Sequence, residues 1–193
     1  MNKRWNLFQI LGVLLILSSL GFLIFTQLQA VSSQKKTTTL CAQIEALLPQ
    51  RTSGMAGSYS NPEMPILQLQ GDDFIGLVEV SAFGLKLPIG SEWDTSKLTA
   101  YPCRLYGSVY NSTLILGGSD QAGQFDFFKN TDLGCVVTVT DMTGAEYTYT
   151  VFRVDRSKTA DADKLMDQGS DLTLYVRDRY SMDYIILRCH NSR

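Results

Sequence analysis

This sequence predicts an all-β domain, a closed barrel of about eight strands, behind an N-terminal transmembrane helix and a short juxtamembrane helix. Three observations predict it. From Ile66 onward, short apolar runs alternate with polar residues and are cut at intervals by turn residues. Apolar residues make up 45% of the 193-residue chain, enough to bury one core. Ahead of the strands, Trp5–Gln34 carries no charged residue and Leu7–Thr26 is nearly all apolar.

The elements follow in order. Residues 1–6 hold Lys3 and Arg4 and are expected to be a cytoplasmic tail. Residues 7–26 match the roughly 20 residues that a spanning helix needs. A cleaved signal peptide would have a shorter apolar run and a small-x-small site, whereas Leu28-Gln29-Ala30 puts a bulky Leu where a small residue belongs. The expected localisation is therefore a single-pass cell-membrane protein with its C-terminal domain extracellular. Residues 27–65 read as a juxtamembrane helix and linker. Leu40, Ile44, Leu47 and Leu48 recur at helical spacing ahead of Pro49, while Arg51–Pro65 has no periodicity.

Residues 66–193 form the predicted barrel domain. Phe74–Val80 and Gly84–Ile89 make a strand pair around Ser81-Ala82-Phe83, with Pro88 at a strand end or edge. Leu98–Leu105 suits a helical turn, Thr113–Leu116 a buried strand, and Phe125–Phe128 a packed turn. Cys135–Asp141 and Glu146–Val154 read as a hairpin across Met142-Thr143-Gly144-Ala145. A charged loop, Asp155–Ser170, leaves room for one helical turn around Lys164-Leu165-Met166. Two antiparallel strands within Asp171–Leu187 close the chain.

Composition excludes several functions. A net charge of −2 and a pI near 5.4 speak against nucleic-acid binding, which usually shows a basic patch. The four cysteines contain no CxxC pair and His190 is the only histidine, so no metal site or other cofactor is expected. Asp155, Asp161, Asp163, Asp167 and Asp171 lack the spacing and glycine of a calcium loop. Cys41, Cys103, Cys135 and Cys189 allow three fully paired disulfide connectivities, and a bridge from Cys41 would tie the linker to the barrel.

The string Thr173-Leu174-Tyr175-Val176 within Asp171–Leu187 resembles the strand of sortases that ends on their nucleophilic cysteine. The likeness extends over residues 74–187. Ile75–Val80 and Leu85–Ile89 resemble the family's first two strands, and Gly107-Ser108, Asn111 and Thr113–Gly117 the run towards its histidine. Phe125–Asp141 and Tyr147–Val151 follow in the same order. The resemblance implies a sortase-like β-barrel and the chemistry of that family. Sortases cleave a sorting signal such as Leu-Pro-x-Thr-Gly and transfer the acyl group to an amine of cell-wall precursor or pilin. That reaction uses a thiolate, a histidine acid–base and an arginine.

At the positions that match, the cysteine is replaced by Arg177, the histidine by Ser119 (or Gly118 with a shift of one) and the arginine by Asp183. A guanidinium stays protonated and is no nucleophile. Cys189 and His190 are neighbours on a strand and so point to opposite faces. The resemblance thus implies a catalytically inactive, membrane-anchored protein of the cell surface. It would bind a sorting-signal peptide, surface protein or pilin, or assist a true sortase. The alternative is a divergent sortase, a cysteine transpeptidase of cell wall or pilus. An Arg177–Asp183 ion pair is expected to fill the vacated site.

Overall fold

The alternation after Ile66 becomes nine strands in the computed structural model. It describes residues 7–49, 63–166 and 169–192, without the side chains of 7–10, 23–36, 162 and 163. The expected tail 1–6 and most of the linker Arg51–Pro65 lie outside the described residues. The strands are β1 (Leu67–Leu69), β2 (Asp72–Val80), β3 (Leu85–Gly90), β4 (Cys103–Tyr106) and β5 (Leu114–Ser119). They continue with β6 (Val136–Asp141), β7 (Glu146–Ser157), β8 (Leu172–Arg177) and β9 (Tyr184–Asn191).

Their order is β1-β2-β3-β4-β5-β8-β9-β7-β6, and a β2–β6 pairing closes the sheet into a barrel of eight strands with β1 appended. Glycine permits that closure. A Cβ on Gly76 would lie 2.2 Å from the Thr140 carbonyl oxygen across the β2–β6 seam. The expected hairpins are present as β2–β3, around a 3₁₀ turn at Ser81–Phe83, and as β6–β7. At the β6–β7 turn the buried Asp141 carboxylate accepts from Thr143 N, Ala145 N and the Tyr110 hydroxyl. Between residues 97 and 101 one hydrogen-bonded turn forms, but Cys103 onward is strand β4 where a helical turn was expected.

Alternate residues point inward, as the pleat requires. Ile75, Val78, Leu87, Ile89, Leu114, Leu116, Val139, Tyr149, Leu172, Leu174, Ile185 and Leu187 fill the interior together with Phe125, Phe127 and Phe128.

Ahead of the barrel, α1 (Leu7–Leu47) is one continuous helix that takes in the expected juxtamembrane helix. Its last turns pack on the barrel, with Cys41 and Ile44 buried against Phe74, Leu77, Tyr101 and Cys103. Lys86 bridges Glu45 and Glu79 at 2.7 and 2.8 Å. All four cysteines are free. Cys41 ties the helix to the barrel through its thiol, which donates to the Lys86 carbonyl at 3.4 Å.

Among the described residues, no helix is long and apolar enough to cross a membrane. That overturns the expected transmembrane anchor at 7–26. The single-pass arrangement with a cytoplasmic N-terminus and an extracellular barrel falls with it. Nor is residue 26 a boundary, since the same helix continues through Lys35 and Lys36 to its seat on β3.

Candidate functional site: the outer face of β5, β8 and β9

Strand β8 shows its two faces clearly. Leu172, Leu174 and Val176 enter the barrel interior, while Tyr175 joins an outer cluster with Ile115, Leu165 and Ile186. Thr173 and Arg177 share the parity of Tyr175 and therefore lie on the outer face too. The register then sets three residues side by side at one end of that face. Ser119 is the partner of Arg177 in the parallel β5–β8 pairing, and Tyr184 is the partner of Arg177 in the antiparallel β8–β9 pairing. The Arg177 guanidinium carbon lies over the Tyr184 ring, 5.8 Å from its centroid. Such a cation–π contact orients the guanidinium without neutralising it.

Further along the same face is a groove of about 410 Å³, lined by Tyr106, Ser112, Thr113, Ile115, Leu165, Met166, Ser170 and Thr173. Its roof is the loop that carries the short helix α2 (Ala162–Leu165). A buried arginine fastens that roof. Arg188, 3% exposed, donates from Nη1 to the Leu165 carbonyl at 2.7 Å and to Thr173 Oγ1 at 3.1 Å. Its Nη2 donates to the Lys164 carbonyl, and Nε reaches the Asp155 carboxylate at 3.3 Å. Burial draws the Arg188 guanidinium below its ordinary value, and the carboxylate of Asp155 opposes that shift. Between groove and row sits Trp93, stacked on Tyr175 with ring centroids 5.7 Å apart. Gly117 makes room for it, because a Cβ there would lie 2.4 Å from Trp93 Cζ3.

The turn from β8 to β9 overhangs the row. Arg179 holds Asp120 by Nε at 2.9 and 3.0 Å and by its backbone N–H at 3.0 Å, with Lys129 Nζ at 3.6 Å. The expected Arg177–Asp183 pair does not form. Asp183 takes Lys158 Nζ at 2.6 Å instead, because alternation turns it away from Arg177 and brings Tyr184 opposite.

Solved structures of sortases share this architecture. Sortase A of Corynebacterium diphtheriae is similar with a TM-score of 0.56 and 18% identity, over 85% of this chain and 84% of that one. Sortase C of Clostridium perfringens SM101 is similar at 0.55 and 15%, over 86% and 88%. Sortase C1 of Streptococcus agalactiae is similar at 0.54 and 23%, over 62% and 68%. The chain has the sortase fold. No protein-family model and no curated protein matches it by sequence.

In this sortase-fold protein no cysteine belongs to the row. Cys41, Cys103 and Cys189 are buried, and burial pushes all four thiols up, Cys41 and Cys189 to about 12. Such groups remain protonated near neutral pH and are poor nucleophiles. Cys189 faces the interior, whereas His190 is exposed and stacks on Phe152 with centroids 3.8 Å apart. Three of the aspartates of the 155–171 loop are engaged elsewhere: Asp155 with Arg188, Asp161 with Thr159 and Lys164, and Asp171 with the Asn191 N–H. Among the described residues no group of three His, Cys, Asp or Glu could hold a metal ion. Sequence reasoning brought Ser119 and Arg177 to the row and missed Tyr184, Trp93 and Arg188. Strand parity alone was a signal for Tyr184. Trp93 comes from a distant loop, and Arg188 lies beyond the stretch over which the resemblance runs.

Proposed function

We propose that this sortase-fold protein holds an extended peptide in the groove beside β5 and β8 without cutting it. The peptide would be of the sorting-signal type carried by surface proteins or pilins. The row Ser119–Arg177–Tyr184 carries the reading. The resemblance matches the family's histidine and cysteine to Ser119 and Arg177, and its arginine to Asp183 or, by strand register, Tyr184. In those places a hydroxyl, a permanently protonated guanidinium and a phenol supply neither thiolate nor imidazole. Elsewhere, loss of a nucleophile or base alone has cost about a millionfold in turnover. The groove keeps what peptide binding needs, an apolar floor from Ile115 and Leu165 and hydroxyls from Ser112, Thr113, Ser170 and Thr173. A bound signal would be sheltered, or presented to a catalytically complete sortase.

The test is a titration with Leu-Pro-Ala-Thr-Gly, read by Trp93 fluorescence in a Trp5→Phe background, with mass spectrometry of the peptide afterwards. Saturable binding with the peptide intact is expected, and Ile115→Asp should abolish it. Cleavage that disappears in Cys189→Ala would establish the alternative, a divergent cysteine transpeptidase.

A further inference from the structure

The two strands that line the groove, β5 and β8, lead on to a cation, Arg177. Arg177 is exposed and makes no ion pair among the described residues. The carboxylates nearest to it in sequence are committed elsewhere. Asp178 accepts from the Tyr180 N–H at 3.0 Å and the Ser181 hydroxyl at 2.9 Å, and Asp183 holds Lys158. Tyr184 lies against the guanidinium and, being neutral, leaves its donors unneutralised. Opposite Arg177, Ser119 Oγ accepts the Gln121 N–H at 3.3 Å, so its own proton is available to donate. A guanidinium fork beside a hydroxyl donor is a receptor for a planar carboxylate.

Position says which carboxylate. Ile115 and Thr173 line the groove, and Ser119 and Arg177 stand four residues further along the same two strands. Four strand residues cover about 13 Å, the length of an extended tetrapeptide. A chain laid from the groove, past the Trp93 indole, would bring its end to Arg177.

We propose that the peptide held here ends in a free α-carboxylate, paired with Arg177 and Ser119, so that the protein binds the product of a peptide-bond cleavage rather than the uncut segment. The inference rests on the peptide-binding reading of the groove and narrows it. It places the protein downstream of a hydrolytic reaction that exposes the carboxylate.

The test uses Leu-Pro-Ala-Thr as the free acid and as the C-terminal amide, titrated into the full chain carrying Trp5→Phe and into its Arg177→Gln form. The free acid should bind about tenfold more tightly than the amide, as a charge-assisted contact at a partly solvated site allows. In Arg177→Gln the preference for the acid over the amide should vanish. Raising the salt concentration should narrow the acid–amide gap and leave the amide untouched. Equal binding of acid and amide to the unsubstituted Arg177 form would overturn this inference and leave the peptide groove standing. If neither form binds, the groove reading and this inference fall together.

Discussion

Arg188 Nη1 donates to the Leu165 carbonyl at 2.7 Å, and this contact joins the last strand of the barrel to the roof of the groove. The carbonyls of Lys164 and Leu165 close the short helix α2, where a cation is the favourable partner. Replacing Arg188 by Met keeps much of the volume but takes the charged donor from the Lys164 and Leu165 carbonyls and one of two arginines from Asp155, which keeps Arg153 at 3.1 Å. The expected cost is about 3 kcal/mol of unfolding free energy. Amide exchange across Ala162–Leu165 should accelerate, and peptide affinity should fall. A variant that melts like the parent would show that the guanidinium contributes little to the roof.

Gly117→Ala should displace Trp93. The added methyl would meet the indole at 2.4 Å and the Tyr175 ring at 2.7 Å, separations that neither ring can tolerate without moving. Overpacking of this kind costs about 1–3 kcal/mol. Trp93 emission should shift to longer wavelength as the indole leaves Tyr175, while far-ultraviolet circular dichroism stays the same. Unchanged emission would mean that the stacking is not the resting position of Trp93.

Thiol titration at pH 8 should find at most one reactive cysteine in the folded chain. Cys41, Cys103 and Cys189 are buried, and for Cys41 and Cys189 a pKa near 12 leaves almost no thiolate at that pH. Cys135 is the half-buried one. All four should react in denaturant. Fast labelling of Cys189 without denaturant would contradict its place in the core.

The Asp72–Lys97 pair should give the fold a component of acid sensitivity. The Lys97 ammonium, 2.6 Å from Asp72, holds that carboxyl below its ordinary value. A depressed carboxylate stabilises the folded state above the unfolded pKa of about 3.9, and the benefit disappears as pH falls through the folded value. Melting temperatures should therefore drop below about pH 4, and Asp72→Asn should flatten that part of the profile. An identical slope in the variant would remove Asp72 from the account.

Much of the barrel was legible in the sequence because its information is local. Period-two alternation located β2, β3, β5, β6, β7, β8 and β9, and turn residues separated them. Strand β4 was missed because Cys103–Tyr106 is only four residues long and pairs through a bulge, too short for alternation to show. Asp183 was expected beside Arg177 because one residue of turn length cannot be counted from sequence, and a slip of one flips a side chain to the other face. The membrane anchor failed for a different reason. Lack of charge and apolar content are necessary for a span but do not suffice for one, and among the described residues no helix is long and apolar enough to cross a membrane.

By itself the sequence determined the strand pattern, its alternation of apolar and polar positions, and the Thr173-Leu174 frame that ends on Arg177. These depend on neighbours along the chain, through pleat, propensity and side-chain chemistry. Tertiary structure alone decided that Ser119, Arg177 and Tyr184 share a row, that Trp93 lies on Tyr175, and that Arg188 closes the groove. The Ser119–Arg177, Trp93–Tyr175 and Leu165–Arg188 contacts each join segments that are not neighbours in sequence. Such contacts are set by register and barrel closure, which arise from the packing of the whole core and leave no periodic trace in any one segment.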